Sequence, residues 1–171
     1  VSVLIAQGEI PQEVTLAASR TAQELGITTI LNPAPYQPLT DDLLELTDWL
    51  IPNEIEFAEL DKTHRTPDSD AVIASLRKSG RTIVTLGSDG AALVTADGTV
   101  KRFAAKKVTA TDTTGAGDCF IGAFAAALAS GASEESAVKF GIDCATKSVT
   151  RKGAQSSYPK IEEIDFSLIV K

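Results

Sequence analysis

The segment Thr113-Thr114-Gly115-Ala116-Gly117-Asp118 runs straight into the apolar stretch Cys119-Phe120-Ile121-Gly122-Ala123-Phe124-Ala125. Two glycines bracketing an alanine let a backbone turn with its N–H groups inward, and a following helix adds its unpaired donors and the positive end of its dipole. Such a turn is an anion cradle. Asp118 stands at its inner edge, within reach of both a bound phosphate and an incoming hydroxyl, as transfer of a phosphoryl group to an alcohol requires. The same Gly-Ala-Gly-Asp also suits an ordinary turn with a helix cap. The rest of the chain must decide between the two.

The elements that would position this segment alternate strand and helix. Val1 to Ala6 reads as a buried strand, and Pro11 to Leu25 carries apolar residues at helical spacing, stopped by Gly26. Ile27 to Leu31 is a second strand, broken by Asn32-Pro33-Ala34-Pro35. A short helix over Asp41 to Thr47 and a strand Trp49 to Ile51 follow. A helix starts at Asn53 with Glu54 and Glu56 in its first turn, another spans Ser69 to Ser79, and Thr82 to Leu86 is a continuous apolar strand. Alternation of this kind marks an α/β fold, a mostly parallel sheet with helices on both faces. After Gly87 three short strands, Ala91 to Thr95, Val100 to Ala104 and Val108 to Ala110, predict a short antiparallel edge. Helices over Gly117 to Ala129, Glu134 to Thr150 and Ile161 to Val170 complete the chain.

Ligands of open parallel sheets bind at the carboxyl ends of the strands. Glu9, Asn32, Asn53, Glu56, Thr85, Gly87, Ser88 and the Asp112 to Asp118 segment all fall at such ends, which predicts a cleft along one rim.

The 171 residues, 43% hydrophobic, suffice for one domain over 1–171, without repeats or a linker. A net charge of −7 and no basic run beyond Lys106-Lys107 argue against nucleic acid as a partner. An acidic protein that binds nucleotide phosphates needs local neutralisation by backbone N–H groups and a divalent cation, which implies magnesium. The apolar stretch Cys119 to Ala129 is too short to span a bilayer, and Val1 to Ala6 lacks the marks of a signal peptide. Cys119 and Cys144, the only two cysteines, read as buried free thiols, and the compartment as cytoplasmic. His64, the single histidine, reads as a solvated loop residue.

There is no Gly-x-x-x-x-Gly-Lys-Ser/Thr, and Gly115-Ala116-Gly117 lacks the third glycine of a dinucleotide fingerprint. Thr114-Gly115-Ala116-Gly117-Asp118, together with Asn32-Pro33-Ala34-Pro35, Pro52-Asn53-Glu54-Ile55-Glu56, Thr85-Leu86-Gly87-Ser88 and Thr150-Arg151-Lys152-Gly153-Ala154-Gln155, resembles the ribokinase branch of the phosphofructokinase-B-type sugar kinases. The resemblance spans the whole chain and implies a ribokinase-like fold and ATP-dependent phosphorylation of a pentose's primary hydroxyl, ribose to ribose 5-phosphate.

By that resemblance Asp118 is the general base and contacts the sugar, while the N–H groups of Gly115, Ala116 and Gly117 stabilise the transferring group. Asn53 and Glu56, one helical turn apart, would face magnesium and its water shell; a helix cap with a solvated glutamate is the plainer alternative. Thr85, Gly87 and Ser88 would line the nucleotide site, and Ile142 and Ala145 would flank adenine. Gly117 and Gly122, with Ala116 and Ala123, would let their helix pack closely on the sheet. Potassium would lie beside the anion hole, held by Asp112, Thr114 and carbonyls within Val149 to Gly153, including Lys152. Glu9 matches a sugar-contacting position.

The chain corresponds to the carboxyl-terminal portion of such kinases. The expected consequences are loss of the amino-terminal sugar grip and of the lid that often forms a homodimer contact, no turnover by these residues alone, and a bare apolar edge at Val1 to Ala6 that favours self-association. A nucleotide-binding or regulatory module that has lost phosphotransfer is the other reading. The preferred pentose is not written in these motifs.

Overall fold

A computed structural model describes residues 1–61, 63–76 and 80–169, in two compact units. The first comprises Val1–Leu86 with Ala92–Arg102, and the second Gly87–Ala91 with Phe103–Lys171.

The first unit holds a six-stranded sheet in the sequential order β1 (Val3–Gln7), β2 (Thr28–Asn32), β3 (Trp49–Leu50), β4 (Arg81–Thr85), β5 (Ala91–Val94) and β6 (Val100–Phe103). Strands β1 to β4 are parallel, in a register that sets Gln7 opposite Asn32 and Leu50 opposite both Leu31 and Thr82. The far edge is antiparallel, and its β5–β6 turn closes through Thr95 and Thr99 with Asp97 accepting from Thr99 N–H. Parallel strands need crossovers, supplied by α1 (Gln12–Glu24), α2 (Asp41–Glu45), α3 (Glu54–Leu60) and α4 (Asp70–Ser75). Consecutive residues of β2, β4 and β5 are buried, as in strands covered on both sides. Leu31, Leu50, Val84 and Ala92 pack with Leu43, Leu44, Phe57, Leu60 and Ile73 from the helices in one apolar cluster. β1 has a sheet neighbour on one side only, and Ile5 on it is exposed.

The second unit is dominated by α5 (Ala116–Ala129) and α6 (Glu134–Ser148), which pack along their lengths. Phe120 and Phe124 lie stacked with centroids 6.2 Å apart. Gly141 is the point of closest approach: a Cβ there would stand 2.8 Å from the Phe120 ring and 3.0 Å from its carbonyl oxygen. Gly117 and Gly122 are not points of close approach, because a Cβ on either meets no atom within 4 Å. The expectation that these two glycines are points of close packing is therefore corrected; within the α5–α6 pair the close approach falls on Gly141. Cys119 and Cys144 are buried free thiols, and burial pushes Cys144 up to about 11.

Two expected elements differ. Val108 to Ala110 forms no strand, and the chain just beyond it is instead tied to the end of α6, where Thr111 N–H donates to the Val149 carbonyl at 2.7 Å. Ile161 to Val170 is not a continuous helix but two 3-10 turns, Ile161–Glu163 and Phe166–Leu168, because the Asp165 side chain takes the N–H of Ser167 and starts the chain afresh. Val170 and residues 77–79, the end of the expected Ser69–Ser79 helix, lie outside the described residues. No helix among the described residues is long and apolar enough to cross a membrane.

A methyl group at position 141 has nowhere to go without moving Phe120. Gly141→Ala is expected to destabilise the second unit by about 1–3 kcal/mol, the usual cost of overpacking, read as a lower denaturation midpoint. An unchanged midpoint would mean that the α5–α6 contact is looser than described.

Candidate active site

Within the first unit, four of the rim residues come together at the strand ends. Asn53 precedes α3 in extended conformation, and its Oδ1 accepts from the N–H groups of Ile55 and Glu56, each at 2.9 Å. Glu56 reciprocates: its Oε2 accepts from Asn53 N–H at 2.8 Å and its Oε1 from Asn53 Nδ2 at 2.9 Å. The pair is a capping box. Asn32, at the end of β2, donates from Nδ2 to the Ile51 carbonyl at 2.8 Å and reaches Glu56 Oε2 at 3.5 Å. Thr85, at the end of β4, bridges to Asn53, with Thr85 N–H donating to the Pro52 carbonyl at 3.0 Å. Glu56 is only 7% exposed, so it is not the solvated glutamate of the plainer reading. Its burial raises the carboxyl's pKa against the opposing effect of the bonds from Asn53 and Asn32. Glu9 is exposed in the turn after β1, where Gly8 N–H donates to the Ala34 carbonyl at 2.8 Å.

The cradle lies in the second unit. Gly115 is the residue before α5 and adopts φ +76°, a left-handed conformation that glycine enters at little cost. Room is restricted as well, since a Cβ there would stand 3.1 Å from the Tyr158 hydroxyl oxygen and 3.2 Å from Ala154 Cα. Ala116 N–H donates to the Thr113 carbonyl at 3.2 Å, and Cys119 N–H closes the first helical turn on Gly115 at 2.9 Å. Gly117 and Asp118 are exposed at the start of the helix. A carboxylate in the first turn is favoured by the helix dipole.

Asp112 staples this loop to the segment after α6. Its Oδ1 accepts from Thr114 N–H at 3.0 Å and its Oδ2 from Gly153 N–H at 2.9 Å. These two donors hold the carboxyl's pKa down at about 2. The Val149 carbonyl accepts from both Thr111 and Asp112 N–H, and the Lys152 carbonyl accepts from Ser156 Oγ at 3.4 Å. Asp112, Thr114, Val149, Lys152 and Gly153 are therefore brought to one place, with much of their hydrogen-bonding capacity spent on one another. Ile142 is buried and Ala145 half-buried on α6.

Gly87 and Ser88 form an exposed 3-10 turn, Gly87–Asp89. Lys107 holds it from outside, donating from Nζ to the Ser88 carbonyl at 2.9 Å and to Asp89 at 2.8 Å. No sequence pattern pointed to Lys107, because the contact joins residues with no periodic relation. The proximity of Tyr158 to Gly115 is likewise written in no local pattern.

Comparison with known proteins adds an independent line. Residues 1–161 match the model of the pfkB family carbohydrate kinase. The chain is 39% identical over 177 aligned residues to a ribokinase of Schizosaccharomyces pombe, covering 99% of the chain and 56% of that protein. A crystal structure of a ribokinase from Thermotoga maritima superimposes with a TM-score of 0.85 at 39% identity, covering 95% of the chain and 55% of that structure. The Arabidopsis thaliana ribokinase complexed with ribose and ATP gives a TM-score of 0.88 at 29% identity, covering 98% and 55%. The chain thus spans about half the length of the curated relatives it matches.

The Asp112 staple predicts an acid-side stability dependence. The folded carboxyl gives up its proton at about 2 and an ordinary aspartate at 3.8, so between these values the unfolded chain binds more protons. The contribution is present above the higher value and is lost as pH falls through the lower one. Asp112→Asn is expected to lower stability at neutral pH and flatten the acid limb of a stability-versus-pH curve. A variant curve parallel to the parent's would contradict this.

Proposed function

The chain belongs to the pfkB family of carbohydrate kinases, and from that premise we propose that it carries the ATP-binding and catalytic part of a kinase that phosphorylates the primary hydroxyl of a pentose, D-ribose foremost. The observation that carries the proposal is the exposed Asp118 carboxylate in the first turn of α5, directly after the left-handed glycine turn.

In this reading the outer phosphate of ATP rests on the Gly115–Gly117 backbone, where the helix dipole and N–H groups favour negative charge. Asp118 accepts the proton of the sugar hydroxyl as its oxygen attacks the terminal phosphorus, and the bond to the ADP oxygen breaks. Thr85, Gly87 and Ser88 serve the nucleotide, with Ile142 and Ala145 beside the base, and Glu9 serves the sugar. Lys107, by fixing the Gly87–Asp89 turn, keeps that backbone in place.

Two ions belong to the proposal, and the donor sets bear on how each is held. Magnesium neutralises phosphate charge when bound. Both oxygens of Glu56 already accept bonds from Asn53, so Asn53 and Glu56 fit an ion that keeps its own water shell better than one bound directly. Potassium suits the hard oxygen donors around Asp112, whose carboxylate stays ionised down to about pH 2. The Val149 carbonyl already accepts two N–H groups, which leaves Asp112 and the Thr114, Lys152 and Gly153 carbonyls as the principal donors. A homodimer of the full-length kinase also belongs to this reading.

The decisive experiment uses Asp118→Asn. Magnesium-ATP binding by calorimetry is expected to stay within about threefold of the parent, while ribose-dependent transfer falls by roughly 10²–10⁴, the usual worth of a general base. Transfer is measured on a hybrid joining this chain to the amino-terminal half of the Thermotoga maritima ribokinase, because the chain by itself is expected to show no sugar-dependent turnover. Retained transfer in the variant would remove Asp118 from the chemistry. ATP binding without transfer in the unmutated hybrid would favour a nucleotide-binding module.

A further inference from the structure

We propose that Tyr158 is a positioning residue of the phosphoryl-transfer site, its phenolic hydroxyl bracing the left-handed turn at Gly115 from which Asp118 is presented. The inference rests on the reading of the α5 start as the phosphoryl site, and adds to it a residue that none of the sequence motifs contains.

The geometry comes from one short segment. Gly153 is fastened to Asp112, and the chain then enters the 3-10 turn Gln155–Ser157. Ser157 is buried, and both its N–H and its Oγ donate to the Ala154 carbonyl, at 3.0 and 2.7 Å. Tyr158 N–H continues the turn onto the Gln155 carbonyl at 3.3 Å, and Pro159 restricts the backbone immediately after it. The ring therefore leaves a backbone fixed on both sides. Ala154 and the Tyr158 hydroxyl border the space in which a Gly115 side chain would sit, at 3.2 and 3.1 Å from its Cβ.

This arrangement does more than exclude a side chain. The Asp112 carboxylate holds Thr114 on the cradle side and Gly153 on the tyrosine side, so the two segments are clamped at the residues that directly precede Gly115 and Ala154. Asp118 is also close enough for its charge to matter: burial first, and then Asp118, push the Tyr158 hydroxyl above its ordinary pKa. The phenol stays protonated at neutral pH and keeps its hydrogen-bond donor.

The test uses this chain in a Tyr36→Phe background, which leaves Tyr158 as the only phenol. Phenolate absorbance is followed at alkaline pH over the range in which circular dichroism shows the fold intact. Adding Asp118→Asn is expected to lower the Tyr158 midpoint; an unmoved midpoint overturns the proposal, whatever the chain's enzymatic role. In parallel, magnesium-ATP affinity is measured for Tyr158→Phe and Tyr158→Leu. Weakening of about threefold for the first and about tenfold for the second is expected, the scale of one lost positioning contact. If Tyr158→Leu does not fold, Tyr158→Phe alone decides this arm. Unchanged affinity in the folded variants overturns the proposal and leaves the kinase reading standing. Absence of magnesium-ATP binding by the parent chain removes both.

Discussion

The backbone conformation at Gly115 is the constraint on which the start of α5 depends. A left-handed residue costs an L-amino acid with a side chain roughly 1–2 kcal/mol, and here Tyr158 and Ala154 also leave a side chain little room. Conformation demands glycine, and the restricted space adds to that demand. The turn fixes where α5 begins, and with it which N–H groups and which carboxylate stand at the positive end of the helix.

A comparison of α3 and α5 shows what the capping residue decides. Each helix carries an acidic residue at its third position, Glu56 in α3 and Asp118 in α5. The α3 cap is Asn53, whose side chain and N–H take up both oxygens of Glu56 and turn it inward, where it is buried. The α5 cap is Gly115, which has no side chain to offer, and Asp118 remains exposed. One carboxylate is thereby built into the framework at the strand ends, and the other stays exposed in the first turn of its helix. The difference in exposure goes with the residue at each cap.

The parts of the fold written in local sequence were legible. The β-α alternation, the antiparallel edge and the strand-end placement of Asn32, Asn53 and Thr85 follow from periodicity and from Gly, Pro and Asn signals, and the sheet has that form. Departures occur where hydrogen bonds that no periodicity announces outvote local preference. Val108–Ala110 has the composition of a strand, yet the following backbone bonds to the end of α6. Ile161 to Val170 reads as a terminal helix, yet Asp165 and Glu163 capture nearby N–H groups, and Glu163 also pairs with Arg151. The Gly117 and Gly122 spacing suggested close packing, while between α5 and α6 it is Gly141 that lacks room. Of the candidate site, the glycine turn before α5 and the Asn53–Glu56 cap were readable because each lies within one turn of helix. Tyr158, Lys107 and the reach of Asp112 to Gly153 were not, because they join segments that only the folded chain brings together.

The most direct test of the central claim is a crystal structure of this chain with magnesium and a non-hydrolysable ATP analogue. The account predicts that the terminal phosphate lies on the Gly115–Gly117 backbone with its phosphorus facing the Asp118 carboxylate. A terminal phosphate bound elsewhere, with the start of α5 left to solvent, would contradict it.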